Sequence, residues 1–163
     1  MFALPKLYFI IAKHTNSHNL SYGFAGNPGT GKTTVARLLS EIYQRLGLLS
    51  EGHLVEVARS ELVAAYTGQT AIKTKKVVEK ALGGILFINE AYALTTNRHE
   101  TDFGREAVDT LVKEMEDNRH DLIVIVAGYP EPMDEFLESN PRFRSRFNSY
   151  KDILNLPYYP YRF

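Results

Sequence analysis

Gly26-Asn27-Pro28-Gly29-Thr30-Gly31-Lys32-Thr33 is the stretch that decides how this chain folds. It meets the pattern G-x-x-x-x-G-K-[ST] at every fixed position. Each fixed residue has a physical reason. Glycines let the backbone turn tightly and reach positive φ, so that successive N–H groups face one centre. A helix opening at Gly31 adds unpaired N–H groups and the positive end of its dipole. Lys32 contributes a full charge suited to the β- and γ-phosphates of a nucleoside triphosphate, and the Thr33 hydroxyl suits Mg²⁺. An exposed lysine on a glycine turn is the plainer alternative. The flanks argue against it, because the loop sits between a strand and an amphipathic helix, where the phosphate site requires it.

The strand before the loop is expected at Ser21–Ala25. After the loop, Val35, Leu38, Leu39, Ile42 and Leu46 recur at helical spacing, and Gly47 supplies a stop. His53–Val57 reads as a second strand and Lys73–Leu82 as a helix, with Val77, Val78 and Ala81 on one face. Ile85-Leu86-Phe87-Ile88 is continuously apolar, as a strand covered on both faces of a parallel sheet must be. Val108, Leu111, Val112 and Met115 mark another helix. Leu122–Val126 is again fully apolar and rich in β-branched residues. A short helix is expected around Met133–Leu137 and a last strand at Asp152–Leu156. Alternating strands and helices predict an α/β fold: a parallel sheet of about five strands flanked by helices.

The third strand runs straight into Asn89-Glu90. An apolar strand ending in two acidic residues is the usual companion of the phosphate loop. The first acid holds Mg²⁺ through its water shell, and the second polarises the attacking water. Here the second is Glu90 and the first is Asn89. An amide resembles a carboxylate in shape but carries no charge, and only its carbonyl can accept from a metal-bound water. The expectation is weaker Mg²⁺-nucleotide binding, with hydrolysis slowed more than binding. Glu90 is the candidate base; a solvated strand-end carboxylate is the alternative.

With these residues in place, about three quarters of the chain, Ser21 to Phe147, resembles the AAA+ ATPases of the group containing stage V sporulation protein K and the red-type Rubisco activase. The resemblance is carried by Gly26 to Arg37, by Gly83-Gly84-Ile85-Leu86-Phe87-Ile88-Asn89-Glu90-Ala91-Tyr92, and by Ala127-Gly128-Tyr129 with Asn140-Pro141 and Ser145-Arg146-Phe147. The run Asp102 to Leu111 matches the spacing as well. The resemblance implies a P-loop NTPase core with ATP and Mg²⁺ as cofactors, nucleotide-binding residues from Gly26 through Thr34, and Thr33 and Asn89 at the metal. It also implies a hexameric ring whose pore loops act on a protein substrate. Tyr66-Thr67-Gly68 falls at the aromatic pore loop; an ordinary surface or packing tyrosine is the alternative. Arg146 falls at the arginine finger that reaches a neighbour's nucleotide, with Arg142 and Arg144 close by, although the family more often has Gly near Arg142's place; a solvated basic turn is the alternative. Tyr129 occupies a sensor position but reads as a strand-end packing residue.

The two ends depart from the family. Residues 1–19 do not resemble its leading helical segment, and residues 157–163, with two prolines, make no regular element. The family's helical lid is expected to be missing, leaving a truncated core over residues 20–156 with weaker ATP affinity and ring assembly. A nucleotide-binding module with little or no hydrolysis is the runner-up reading, and an inactive remnant the third.

Composition narrows the rest. Nineteen basic residues balance nineteen acidic ones, so no polyanion-binding surface, and hence no nucleic-acid partner, is expected. There is no cysteine, which excludes disulfides and thiolate metal sites. No apolar run approaches the roughly 20 residues needed to span a bilayer, and Leu7–Ile11 lacks the flanks of a signal peptide. The expected location is cytoplasmic.

Overall fold

The structure is a computed structural model that describes residues 20–96, 103–147 and 149–152. The expected N-terminal segment 1–19 and tail 157–163 lie outside the described residues. Five parallel strands form one sheet in the order β2-β3-β4-β1-β5. They are β1 (Tyr22–Ala25), β2 (Leu54–Val57), β3 (Ile85–Asn89), β4 (Ile123–Gly128) and β5 (Ser149–Asp152). Between them run α1 (Lys32–Arg45), α2 (Arg59–Leu62), α3 (Thr70–Ala81), a 3₁₀ turn (Ala91–Leu94), α4 (Gly104–Asp117), α5 (Pro130–Glu138) and α6 (Pro141–Arg144).

The apolar runs of β3 and β4 become the middle of the sheet because both of their faces are covered. Side chains alternate along a strand, and the two cores divide accordingly. Ile85 and Phe87 join Ile123, Ile125, Tyr22 and Phe24 under α1. Leu86 and Ile88 join Val124 and Val126 under α3, α4 and α5. The register Ile85↔Ile123 and Ile88↔Val126, with Tyr22↔Ile125 and Ala25↔Gly128, brings the carboxyl ends of β3, β4 and β1 to one edge.

Two sequence expectations need correction. The last strand is Ser149–Asp152, not Asp152–Leu156; it pairs with β1 along Tyr22↔Ser149 to Ala25↔Asp152, and residues 153–163 are not described. The buried face of α1 is also rotated from the leucine stripe. Ala36, Leu39, Ser40 and Tyr43 are buried, whereas Leu38 and Leu46 are 43% and 53% exposed. Ser40 can face the core because its hydroxyl donates to the Arg37 carbonyl at 2.7 Å. Gly47 ends the helix as expected: with φ 72°, it lets Leu48 N–H reach the Tyr43 carbonyl and its own N–H reach the Gln44 carbonyl, both at 2.9 Å. This is the glycine-closed helix end that satisfies otherwise orphaned carbonyls.

One polar contact ties α1 to β1. The Tyr22 and Tyr43 hydroxyls, both buried, lie 3.0 Å apart. Burial pushes both phenols above their ordinary value of 10.0, Tyr43 far above the normal tyrosine range, where the neighbouring Tyr22 adds to the shift. The folded chain therefore holds these protons while the unfolded chain loses them near pH 10. Their contribution to stability is full below that pH and falls as pH rises beyond it. Urea unfolding should show Tyr43→Phe losing about 1 kcal/mol, because the buried hydroxyl–hydroxyl contact with Tyr22 is removed. The Tyr22→Phe/Tyr43→Phe double variant should show a flatter decline above pH 10.

Candidate nucleotide site

All the chemistry predicted from the loop gathers at the carboxyl edge of the sheet. Chain leaving β1 is pinned there by Gly26 N–H donating to the Gly128 carbonyl at 3.1 Å. Gly29 and Gly31 take φ of 73° and 83°. A Cβ at either would meet nothing within 4 Å, so glycine is needed there for backbone conformation rather than for room. Gly31 caps α1 without any side-chain bond. The first-turn amides of the helix are thereby left for a ligand, with the helix dipole behind them.

Lys32 is the hinge of this arrangement. Its ammonium donates to the carbonyls of Gly26 at 2.7 Å and Asn27 at 2.9 Å, and to the Thr30 hydroxyl at 3.4 Å. Thr30 in turn donates to the Asn27 carbonyl at 2.7 Å. These bonds station the ammonium over the loop. Burial lowers the Lys32 pKa from its ordinary value, while the Glu90 carboxylate acts in the opposite direction.

A cavity of about 450 Å³ opens over the loop. Its walls bring together Gly26, Pro28, Gly29, Thr30, Gly31, Lys32, Thr33 and Thr34 with Asn89 and Glu90 from the end of β3 and Gly128 and Tyr129 from the end of β4. Of the predicted nucleotide-binding residues, Asn27 is outside the lining; its carbonyl shapes the loop instead. Glu90 holds φ 50°, the only positive φ of a non-glycine residue among the described residues. Such backbone costs on the order of 1–3 kcal/mol, and it is kept where a side chain has to be aimed. It turns Glu90 off the strand end into the 3₁₀ turn Ala91–Leu94.

The remaining predicted residues stand apart. Arg146 does not line this cavity; its guanidinium pairs with the Glu116 carboxylate of α4. Tyr66 is 71% exposed in the segment between α2 and α3, and Thr67 and Gly68 beside it are exposed as well. Tyr66 is therefore a surface tyrosine, as both the pore-loop reading and the ordinary-surface alternative require. Two residues of the wall, Gly128 and Tyr129, are not among the site residues expected from the sequence. Tyr129, expected to pack at the strand end, lies with its ring 6.4 Å from that of Tyr92 and also faces the cavity with Gly128. Burial, Glu90 and Tyr129 together raise the Tyr92 pKa. Glu56 was not singled out either, although it accepts from the Thr33 hydroxyl at 3.4 Å.

A parallel 2-3-4-1-5 sheet, a glycine loop after β1 and Lys32 at the head of α1 define a P-loop NTPase core. Comparison with known proteins narrows the class. The ATPase family associated with various cellular activities (AAA) matches residues 22–151. Stage V sporulation protein K of Bacillus subtilis is 56% identical over 124 residues, which cover 76% of this chain and 38% of that protein. Protein CbbX of Cereibacter sphaeroides is 54% identical over 127 residues, 78% of this chain and 41% of the relative. The chloroplastic ribulose bisphosphate carboxylase/oxygenase activase of Cyanidioschyzon merolae is 47% identical over 145 residues, 89% of this chain and 48% of the relative. The chain belongs to the AAA family of ATPases, and it spans less than half the length of these relatives. No helix among the described residues is long and apolar enough to cross a membrane.

Calorimetric titration with ATP tests the loop directly. Lys32→Ala should bind ATP about 100-fold more weakly, since a charge-assisted bond of about 2–3 kcal/mol is lost, while its circular dichroism and melting stay close to those of the unaltered chain.

Proposed function

We propose that this chain is the ATP-hydrolysing core of an AAA+ motor that remodels a protein partner within a ring, residues 20–156 forming that core. The observation that carries the reading is the single cavity in which the phosphate loop and Glu90 meet. ATP hydrolysis needs a grip on the β- and γ-phosphates and a base for water. The loop amides and Lys32 provide the grip, and the Glu90 carboxylate accepts the proton of water as it attacks the γ-phosphorus and ADP departs.

The donors fit a magnesium ion, because the Thr33 hydroxyl and the Asn89 side-chain carbonyl are both oxygen ligands at the cavity wall, the type a hard cation takes. Thr33 and Asn89 would hold Mg²⁺ there, and the ion would supply positive charge that offsets the charge developing on the leaving group. Arg146, held by Glu116 outside its own cavity, would serve a neighbouring subunit as the arginine finger, with Arg142 and Arg144 exposed beside it. The exposed Tyr66-Thr67-Gly68 would be the pore loop that grips the polypeptide. Two relatives are named for sporulation and for ribulose bisphosphate carboxylase/oxygenase activation. The partner proposed here is accordingly a folded protein, met in the cytoplasm, rather than nucleic acid or membrane.

Asn89 favours a second reading, a nucleotide-binding module with little turnover. Steady-state phosphate release separates the two. On the motor reading the unaltered chain turns over ATP slowly, Asn89→Asp speeds it by about tenfold or more, and Glu90→Gln binds ATP without releasing phosphate. Absence of phosphate release in both the unaltered chain and Asn89→Asp, with ATP still bound, would establish the module instead.

A further inference from the structure

Glu56 is an exposed carboxylate that stands beside the head of α1. It lies on β2, an edge strand, and alternation puts it on the same face as Leu54, which packs toward the core beneath α1. Its cross-strand partner is Phe87, a member of that same core. Asn89 follows Phe87 by two residues and so shares this face, one pleat nearer the carboxyl edge. Glu56 is exposed at this end of the strand, and the Thr33 hydroxyl, in the first turn of α1, donates to Glu56 Oε1 at 3.4 Å.

We propose that Glu56 is a positioning residue for the divalent cation that accompanies the triphosphate, acting through Thr33 and supplying the negative charge that Asn89 lacks. The proposal rests on the Mg²⁺-ATP reading of the site. A threonine hydroxyl has one hydrogen and two lone pairs. To offer a lone pair to a cation, it must send its hydrogen elsewhere. A carboxylate acceptor is the strongest available and enriches the oxygen as a donor, which is how outer groups tune metal ligands. Glu56 takes that hydrogen, so the lone pairs of Thr33 are left for the cavity that Thr33 lines. The charge of Glu56 is also felt one hydroxyl away, since attraction falls only with the inverse of distance. A family member with an amide in place of the first acid thus keeps one full negative charge beside the cation, one strand further out. The plainer alternative is a solvated edge-strand carboxylate that touches Thr33 without consequence.

Calorimetry with a non-hydrolysable ATP analogue, in EDTA and in excess Mg²⁺, isolates the cation's share as the ratio of the two affinities. Glu56→Gln should leave binding in EDTA unchanged or slightly tighter, because a negative charge near the triphosphate is gone. The gain from Mg²⁺ should fall by about tenfold. In an Asn89→Asp background, where the charge is restored, the same substitution should lower that gain by only about twofold. An unchanged Mg²⁺ gain in Glu56→Gln, or an equal fall in both backgrounds, overturns the proposal while leaving the nucleotide site standing. Failure of the unaltered chain to bind the analogue in either buffer overturns the site reading and this inference together.

Discussion

Parallel pairing of β3, β4 and β1 is the constraint from which the site follows. Because the strands run the same way, everything that leaves them leaves from one edge. The register of Ala25 with Gly128 and of Asn89 with Ala127 fixes how far apart those exits are. The phosphate loop, the Asn89-Glu90 pair and Tyr129 belong to three segments distant in sequence, yet they share one cavity. The crevice beside β1, where successive connections depart to opposite faces of the sheet, is also where open α/β sheets bind ligands. Here α1 covers one face and α3, α4 and α5 the other.

Within that frame, local chemistry sets each group's task. Gly29 and Gly31 bend the chain into a cradle, and Lys32 stabilises the bend through its bonds to the Gly26 and Asn27 carbonyls. The ammonium is thus stationed at the loop in advance of any phosphate. Preorganised charge and amides require little rearrangement as a ligand enters, and this is the main way a protein stabilises transferring phosphoryl groups. Glu90 is aimed by strained backbone rather than by helix or strand periodicity. The buried Tyr22–Tyr43 pair holds α1 against β1 at the far end of the same lever, so the phosphate cradle is braced on both sides.

Much of this was legible in the sequence because continuous apolar runs leave few choices. Ile85–Ile88 and Leu122–Val126 could only be covered strands, and the glycine loop could only sit before an amphipathic helix. Other features were hidden for physical reasons. Leu38 and Leu46 fit a helical stripe, but the small Ala36 and long Tyr43 fit the sheet surface more closely and took the buried face. The last strand was placed late because Asp152–Leu156 looked more apolar than Ser149–Asp152, while an edge strand beside β1 is held by backbone bonds and needs little hydrophobicity. Tyr129 follows a strand whose end lies against the loop, and only the tertiary arrangement tells whether its ring meets protein or cavity. Nothing in the sequence marks Glu56 beyond its place in the second strand, since its relation to Thr33 spans 23 residues of chain.

The central claim is that backbone amides at the head of α1, with Lys32, form a receptor for a triphosphate. Two-dimensional ¹H–¹⁵N NMR of the chain during an ATP titration tests it most directly. The account predicts saturable shifts in the amide resonances of Gly29 to Thr34, larger than those elsewhere, with the strand amides of β2 and β5 little moved. Amides of the loop that stay fixed while ATP saturates another surface, or that never respond, would contradict it.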